Sequence, residues 1–253
     1  MDNNNHFFIN HYKISLLLIT IAGLTLRILR AMSTTSLNQD AVEYIKFAQL
    51  THESGLETGY SVISWLPPML PFLMAKSYYF NLTPCTFGII INIFFGTILI
   101  ITAYFFTKTF FNDIKASLLS ALLIAFNPFL VSISADIIRD NIFYVFSILS
   151  FIFIRKAIEN KNLIYYTLSA ITSSLAVFTR SEGIEIFIIC VILILYSIVV
   201  DHIKNKKLSF KKIFYSNVYL IIFLLILLPV HYKLSSYKYC SWTIIPKELI
   251  FVK

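Results

Sequence analysis

Residues 86–107 read TFGIIINIFFGTILIITAYFFT, 22 positions without an Asp, Glu, Lys, Arg or His. A helix of that length rises about 33 Å, enough to cross the roughly 30 Å hydrocarbon core of a bilayer. Backbone groups in hydrocarbon must bond within their own segment, so helix is the default form of such a run. The ~10-residue alternating segments of a barrel strand are absent. Further apolar runs lie at 14–31, 116–133, 138–154, 163–179, 184–200 and 213–230. The chain therefore reads as an all-α polytopic membrane protein with about seven transmembrane helices.

Composition agrees. Of 253 residues, 58% are hydrophobic and 13% charged, against roughly 45–50% and about 25% in soluble domains. Mean hydropathy is +0.77. Such a chain has too little polar surface to coat a soluble globule, and disorder would need low hydrophobicity and high charge. The net charge of +8 does not indicate a nucleic-acid partner, because the lysines lie between apolar runs rather than on one face. It is a topology signal.

One set of short loops holds Lys108 and Lys115, then Arg155, Lys156 and Lys161, then Lys204, Lys206, Lys207, Lys211 and Lys212. The opposite set, near 134–140 and 179–183, holds only Arg139 and Arg180. By the positive-inside rule the first set is cytoplasmic. The N-terminus is then inside, and 32–85 and 231–253 are outside. The first run is expected to stay as an anchor. Met1 to Tyr12 has no basic region, and Arg27 and Arg30 occupy the place of a small-residue cleavage site. Cys85, Cys190 and Cys240 show no metal-ligand spacing. Cys190 reads as a buried small hydrophobe. Cys85 and Cys240 fall on the same expected outer side, and a disulfide between them is the minority reading.

The outer segment 32–85 is too long for a connector and too polar to span. Ala41 to Leu50 (AVEYIKFAQL) puts Val42, Ile45, Phe47 and Ala48 near one side, with Glu43, Lys46 and Gln49 on the other. That pattern predicts an amphipathic helix lying on the membrane surface. Pro67, Pro68 and Pro71 break the chain before a second helix at about 69–80. A turn through Gly55 and Gly59 is expected to join the two.

Charged residues cluster at the same expected outer face: Asp40, Asp136, Arg139, Asp140, Arg180, Glu182 and Glu185. Each has an ordinary structural reading. Asp40 is a favoured type for capping the helix that follows it. Asp136 and Arg139, three apart, suit a local helix pair. Arg180 suits an interfacial snorkel. As a group, carboxylates and arginines at one face of an apolar bundle point to a site for an anionic ligand at the membrane surface. No His/Cys cluster, P-loop, GxGxxG or GxSxG is present.

The order of local patterns carries a resemblance. Asp40-Ala41-Val42-Glu43-Tyr44 follows the first span. Trp65-Leu66-Pro67-Pro68-Met69-Leu70-Pro71-Phe72 comes next, then Asn127-Pro128-Phe129 before Ser134 to Asp140. Leu175-Ala176-Val177-Phe178-Thr179-Arg180-Ser181-Glu182-Gly183 closes the series. Together they resemble the GT-C superfamily of membrane glycosyltransferases. More narrowly, the chain is similar to the dolichyl-phosphate-mannose–protein mannosyltransferase family and to bacterial aminoarabinose transferases acting on lipid A. It departs from the family at Ala41, where a second carboxylate often stands, and at Ser174, where a glycine does. Members usually carry several more spans and often a soluble outer domain, so the resemblance implies a short or truncated member. It divides the chain into a cytoplasmic N-terminus (1–13), a GT-C-like transmembrane module (14–230) and an outer tail (231–253).

The resemblance implies transfer of a sugar from a polyprenyl-phosphate carrier to an acceptor at the extracytoplasmic face, with inversion. Asp40 matches the family's catalytic carboxylate, and Asp140 the second acidic position. Arg139 and Arg180 are the candidates for the donor phosphate. Glu43, Tyr44, Asp136 and Glu182 are candidates for positioning the acceptor or the loops. Metal use varies in the superfamily; Asp40 and Asp140 are the residues a divalent ion would use. The partners implied are membrane lipid and the lipid-linked donor. Two other readings stand beside the enzyme: a non-catalytic member of the same family, and a transporter or flippase subunit. The second would show inverted repeats, and none is visible.

Overall fold

The computed structural model describes residues 3–34, 37–63, 66–205 and 210–240. Trp65, the side chains of Cys240 and of the five lysines between 204 and 212, and residues 241–253 lie outside the described set. Among the described residues the regular structure is helical throughout. The elements in order are α1 (Asn3–Ser33), α2 (Gln39–Ser54), α3 (Leu56–Val62), α4 (Met69–Met74) and a 3-10 turn (Ala75–Phe80). Then follow α5 (Pro84–Phe111), α6 (Ile114–Phe126), α7 (Pro128–Ile133), α8 (Asp140–Asn160), α9 (Leu163–Thr179), α10 (Gly183–Asn205) and α11 (Phe210–Cys240).

All seven apolar runs are helical. Four helices are long and apolar enough to cross a membrane: Tyr12–Ser33, Pro84–Phe111, Asp140–Asn160 and Gly183–Ile203. Three apolar helices are shorter: Ile114–Phe126, Leu163–Thr179 and Ile213–Leu228. The run at 116–133 is not one helix. Pro128 has no N–H to offer Ile124, and Asn127 instead caps a new helix by accepting from the Leu130 N–H at 3.1 Å. Nor does the last helix stop at 230, since α11 continues to Cys240. At the other end, α1 already begins at Asn3.

Two tight turns make αα-hairpins by the same chemistry. Between α5 and α6, Asn112 takes the left-handed conformation (φ 52°) and Asp113 caps α6 by accepting from the N–H groups of Lys115 and Ala116. Between α8 and α9, Lys161 is left-handed (φ 49°) and Asn162 caps α9 by accepting from Ile164. Pairs α5/α6, α5/α8, α8/α9, α9/α10, α9/α11 and α1/α6 pack together. Outer helices keep large apolar side chains on the surface, such as Leu18 of α1, Ile192 and Leu195 of α10, and Leu225 of α11. With no soluble counterpart to cover them, these are the groups a lipid environment accommodates.

The outer segment differs from its expected form. Helix α2 packs on α3, α4, α5 and the 3-10 turn. Its buried face is Ala41, Tyr44, Phe47 and Ala48, while Val42 is 57% exposed. The face is therefore rotated from the predicted one, because burial against protein selects Ala41 and Tyr44 over Val42. Gly55 does turn the chain, with φ 89° at the end of α2. Gly59 does not: it is buried inside α3, where an added Cβ would lie 2.4 Å from the Phe47 ring.

Candidate active site

The site grows from three chain reversals at one end of the bundle. In the first, Asn38 caps α2 by accepting from the Ala41 N–H at 2.6 Å. The cap is thus Asn38, not Asp40. Asp40 is exposed in the first turn of α2, with no side-chain hydrogen bond or ion pair among the described residues. One helical turn on, Tyr44 is buried.

In the second reversal, residues 134–139 are turn and bend rather than helix. The expected local pair of Asp136 with Arg139 does not form. Arg139 instead reaches α2, where its Nη1 donates to the Tyr44 hydroxyl at 3.2 Å. Burial pushes the Tyr44 phenol up to about 12, opposed by the nearby Arg139 cation and assisted by Asp40 and Asp140. The phenol is therefore neutral, and it stands within electrostatic reach of Asp40, Arg139 and Asp140 together. Asp136 is half-buried and takes no part in these contacts.

The third reversal joins α9 to α10. Arg180 ends α9 in extended backbone (φ −149°), its N–H bonded to Ala176 O at 2.9 Å. Gly183 then donates to Arg180 O at 2.9 Å. A Cβ on Gly183 would come within 2.4–2.6 Å of the Ala176 and Val177 backbone, so only glycine lets the chain fold back this tightly. The Arg180 guanidinium forks between two carboxylates, with Nη1 on Asp140 Oδ1 and Nη2 on Glu182 Oε1, the latter at 2.7 Å. Its carbon lies 5.6 Å from the centre of the Phe143 ring. The hydrogen bond to Glu182 and the charge of Asp140 raise the Arg180 guanidinium further above its ordinary value. In return, the Arg180 hydrogen bond pulls the Glu182 carboxyl down to about 2. Arg180 is 27% exposed and Asp140 13%, so Arg180 is an ion-paired residue and not a snorkelling one.

Asp40, Tyr44, Arg139 and Asp140 thus form one group, with Arg180 and Glu182 joined through Asp140. Glu43 sits beside them on α2, half-buried, with Oε2 buried and without a hydrogen-bond partner among the described residues. Among the described residues no three His, Cys, Asp or Glu side chains gather as a metal set. A sequence model of the dolichyl-phosphate-mannose-protein mannosyltransferase family matches residues 66–232. The chain belongs to this family. Membership makes it a multi-pass membrane protein of a glycosyltransferase family. Arg139, Asp140, Arg180 and Glu182 fall inside the stretch matched to the family, and Asp40, Glu43 and Tyr44 precede it. No curated protein matches the chain in a sequence comparison.

Sequence reasoning missed two parts of this candidate site. Phe143, under the Arg180 guanidinium, had no distinguishing signal among many aromatics. Asn38 did have one, an Asn preceding an apolar-periodic run, but the neighbouring Asp40 is an equally good cap type.

Proposed function

We propose that the protein transfers a sugar from a polyprenyl-phosphate carrier to an acceptor hydroxyl, with inversion, at the extracytoplasmic end of the bundle. The charge of the short loops supports that orientation. Asp40 acts as base. Its carboxylate takes the acceptor's proton as the acceptor oxygen bonds to the anomeric carbon. The bond from that carbon to the donor phosphate oxygen breaks, and its electron pair leaves with the polyprenyl phosphate. The phosphate gains one negative charge in this step, and a cation placed beforehand stabilises it.

The observation that carries the reading is the difference between the two site arginines. Arg180 is already neutralised by Asp140 and Glu182, whereas Arg139 forms no ion pair among the described residues and donates to a neutral phenol. Arg139 is therefore the cation for the donor phosphate, and Arg180 holds Asp140 in place. Freed from capping, Asp40 is the carboxylate open to a proton. The test is a transfer assay in membranes with labelled polyprenyl-phosphate mannose as donor. Asp40→Asn should lower transfer by roughly 10²–10⁴-fold at unchanged protein level, with Glu43→Gln mild. Arg139→Ala should weaken donor use more than Arg180→Ala does. Equal small effects of Asp40→Asn and Glu43→Gln would refute the base assignment. Absence of transfer by the unmodified chain would favour a non-catalytic member of the family.

A further inference from the structure

At the opposite end of the bundle, the C-terminal turns of α5 and α8 line an open cavity of about 640 Å³. Arg155 lies fifteen residues beyond Asp140 on α8, so this cavity is about 22 Å along the helix from the candidate active site. Its walls carry Lys108, Arg155, Lys156 and Glu159, with Phe110 and Phe111 at the rim. Arg155 is paired to Glu159 at 2.6 Å. The two lysines are held differently. Lys108 Nζ stands 4.9 Å from the Tyr12 ring centre and 5.8 Å from that of Tyr104; Lys156 Nζ stands 6.0 Å from that of Tyr165. Neither lysine forms an ion pair among the described residues. Aromatic faces fix a cation in position without cancelling its charge.

The local balance is three cations and one carboxylate lining the cavity. The carbonyl ends of two helices subtract about half a charge each. About one positive charge is left over, the complement of one phosphodiester. Asp113 is not among the residues lining the cavity, and its carboxylate faces the N-terminus of α6, whose positive end offsets about half of its charge. Beside the charge, Phe111 is 72% exposed and Phe110 38%, an apolar rim next to a polar pocket. We propose that this cavity binds the headgroup phosphate of an anionic membrane phospholipid, with the acyl chains lying against Phe110 and Phe111. A lipid rather than a free anion is the occupant because the phosphate pocket opens beside apolar surface, in a chain whose outer helices face lipid. Basic pockets between transmembrane helices are suited to such headgroups.

The experiment uses the full chain in nanodiscs of phosphatidylcholine containing a minor fraction of phosphatidylglycerol, with bound lipid read by native mass spectrometry after release. The unmodified protein should retain phosphatidylglycerol. K108Q/K156Q should retain it about tenfold less or weaker still, at an unchanged melting temperature. E159Q, which frees Arg155, should retain more. Glycerol phosphate should compete poorly. Equal retention by K108Q/K156Q overturns the proposal, and displacement by glycerol phosphate as effective as by the lipid overturns its lipid part. If K108Q/K156Q does not fold, E159Q decides alone: increased retention supports the site, and unchanged or reduced retention refutes it.

Discussion

Two arginines near the same end of the bundle are solved in opposite ways. Arg180 is partly exposed and forks between Asp140 and Glu182. Arg27 of α1 is fully buried and meets no carboxylate among the described residues. Its Nη1 donates to Gly23 O at 2.9 Å and Ala125 O at 3.3 Å, and its Nη2 to Ile124 O at 3.2 Å. Those last two carbonyls are the ones left open where α6 ends before Pro128. One arginine therefore balances charge at a site, and the other repairs a break in the backbone. An intramembrane cation is not by itself a sign of chemistry; what it bonds to decides which kind it is.

The largest effect that would break this comparison is at Arg27. Arg27→Met strands two buried carbonyls, each costing about 1–3 kcal/mol. The yield of monodisperse protein on size exclusion should collapse. Pro128→Ala restores an N–H opposite Ile124 O, so Arg27→Met should cost clearly less in that background. Simple additivity of the two changes would remove the repair role.

Next in size is Gly183→Ala, which drives a Cβ into the Ala176 and Val177 backbone. Overpacking of this kind costs about 1–3 kcal/mol. Both the melting temperature and transfer should fall, because the turn that aims Arg180 is displaced. An alanine variant melting like the unmodified chain would show that the turn has room to relax.

Arg180→Lys sharpens the contrast further. A lysine keeps the charge but cannot fork to two carboxylates. Its stability loss should be near 1 kcal/mol or less, given the exposure of Glu182, measured by thermal melting. Arg27→Lys should lose more, since a single ammonium cannot serve the same spread of carbonyls.

The smallest effect is that of pH on Glu182. Its folded value of about 2 lies below the ordinary 4.5. A lowered carboxyl stabilises the fold above the unfolded value and loses that contribution as pH falls toward the folded one. The melting-temperature gap between the unmodified protein and Glu182→Gln should thus be full at neutral pH. It should close as pH drops from about 4.5 toward about 2. A gap independent of pH would mean that Glu182 acts without its charge.

The long helices were legible because each apolar run continues for 17 residues or more with few charges, too apolar for the surface of a soluble helix. Caps at Asp113 and Asn162 were equally within reach of local rules. The face of α2 was not, because Val42 and Ala41 differ in hydrophobicity in the wrong sense, and only contact with α4 and α5 decides between them. Arg139 was grouped with the other charged residues from the sequence, but its bond to Tyr44, 95 positions away, follows no local pattern. Arg27 was noticed only as a misfit to signal cleavage. Its carbonyl partners on α6 lie 97 and 98 positions along the chain, and no local pattern connects them.

That last separation has a consequence for how the protein is made. Helix α1 is synthesised well before α6, and Arg27 lies about 9 Å from its C-terminal end, near enough for the side chain to reach past it. The carbonyls that finally receive it are synthesised nearly a hundred residues later. Until α6 arrives, Arg27 lacks the two carbonyls of that helix that it bonds in the finished fold. Its settling against α6 is then an assembly step, in which one side chain fastens α1 to a helix made much later.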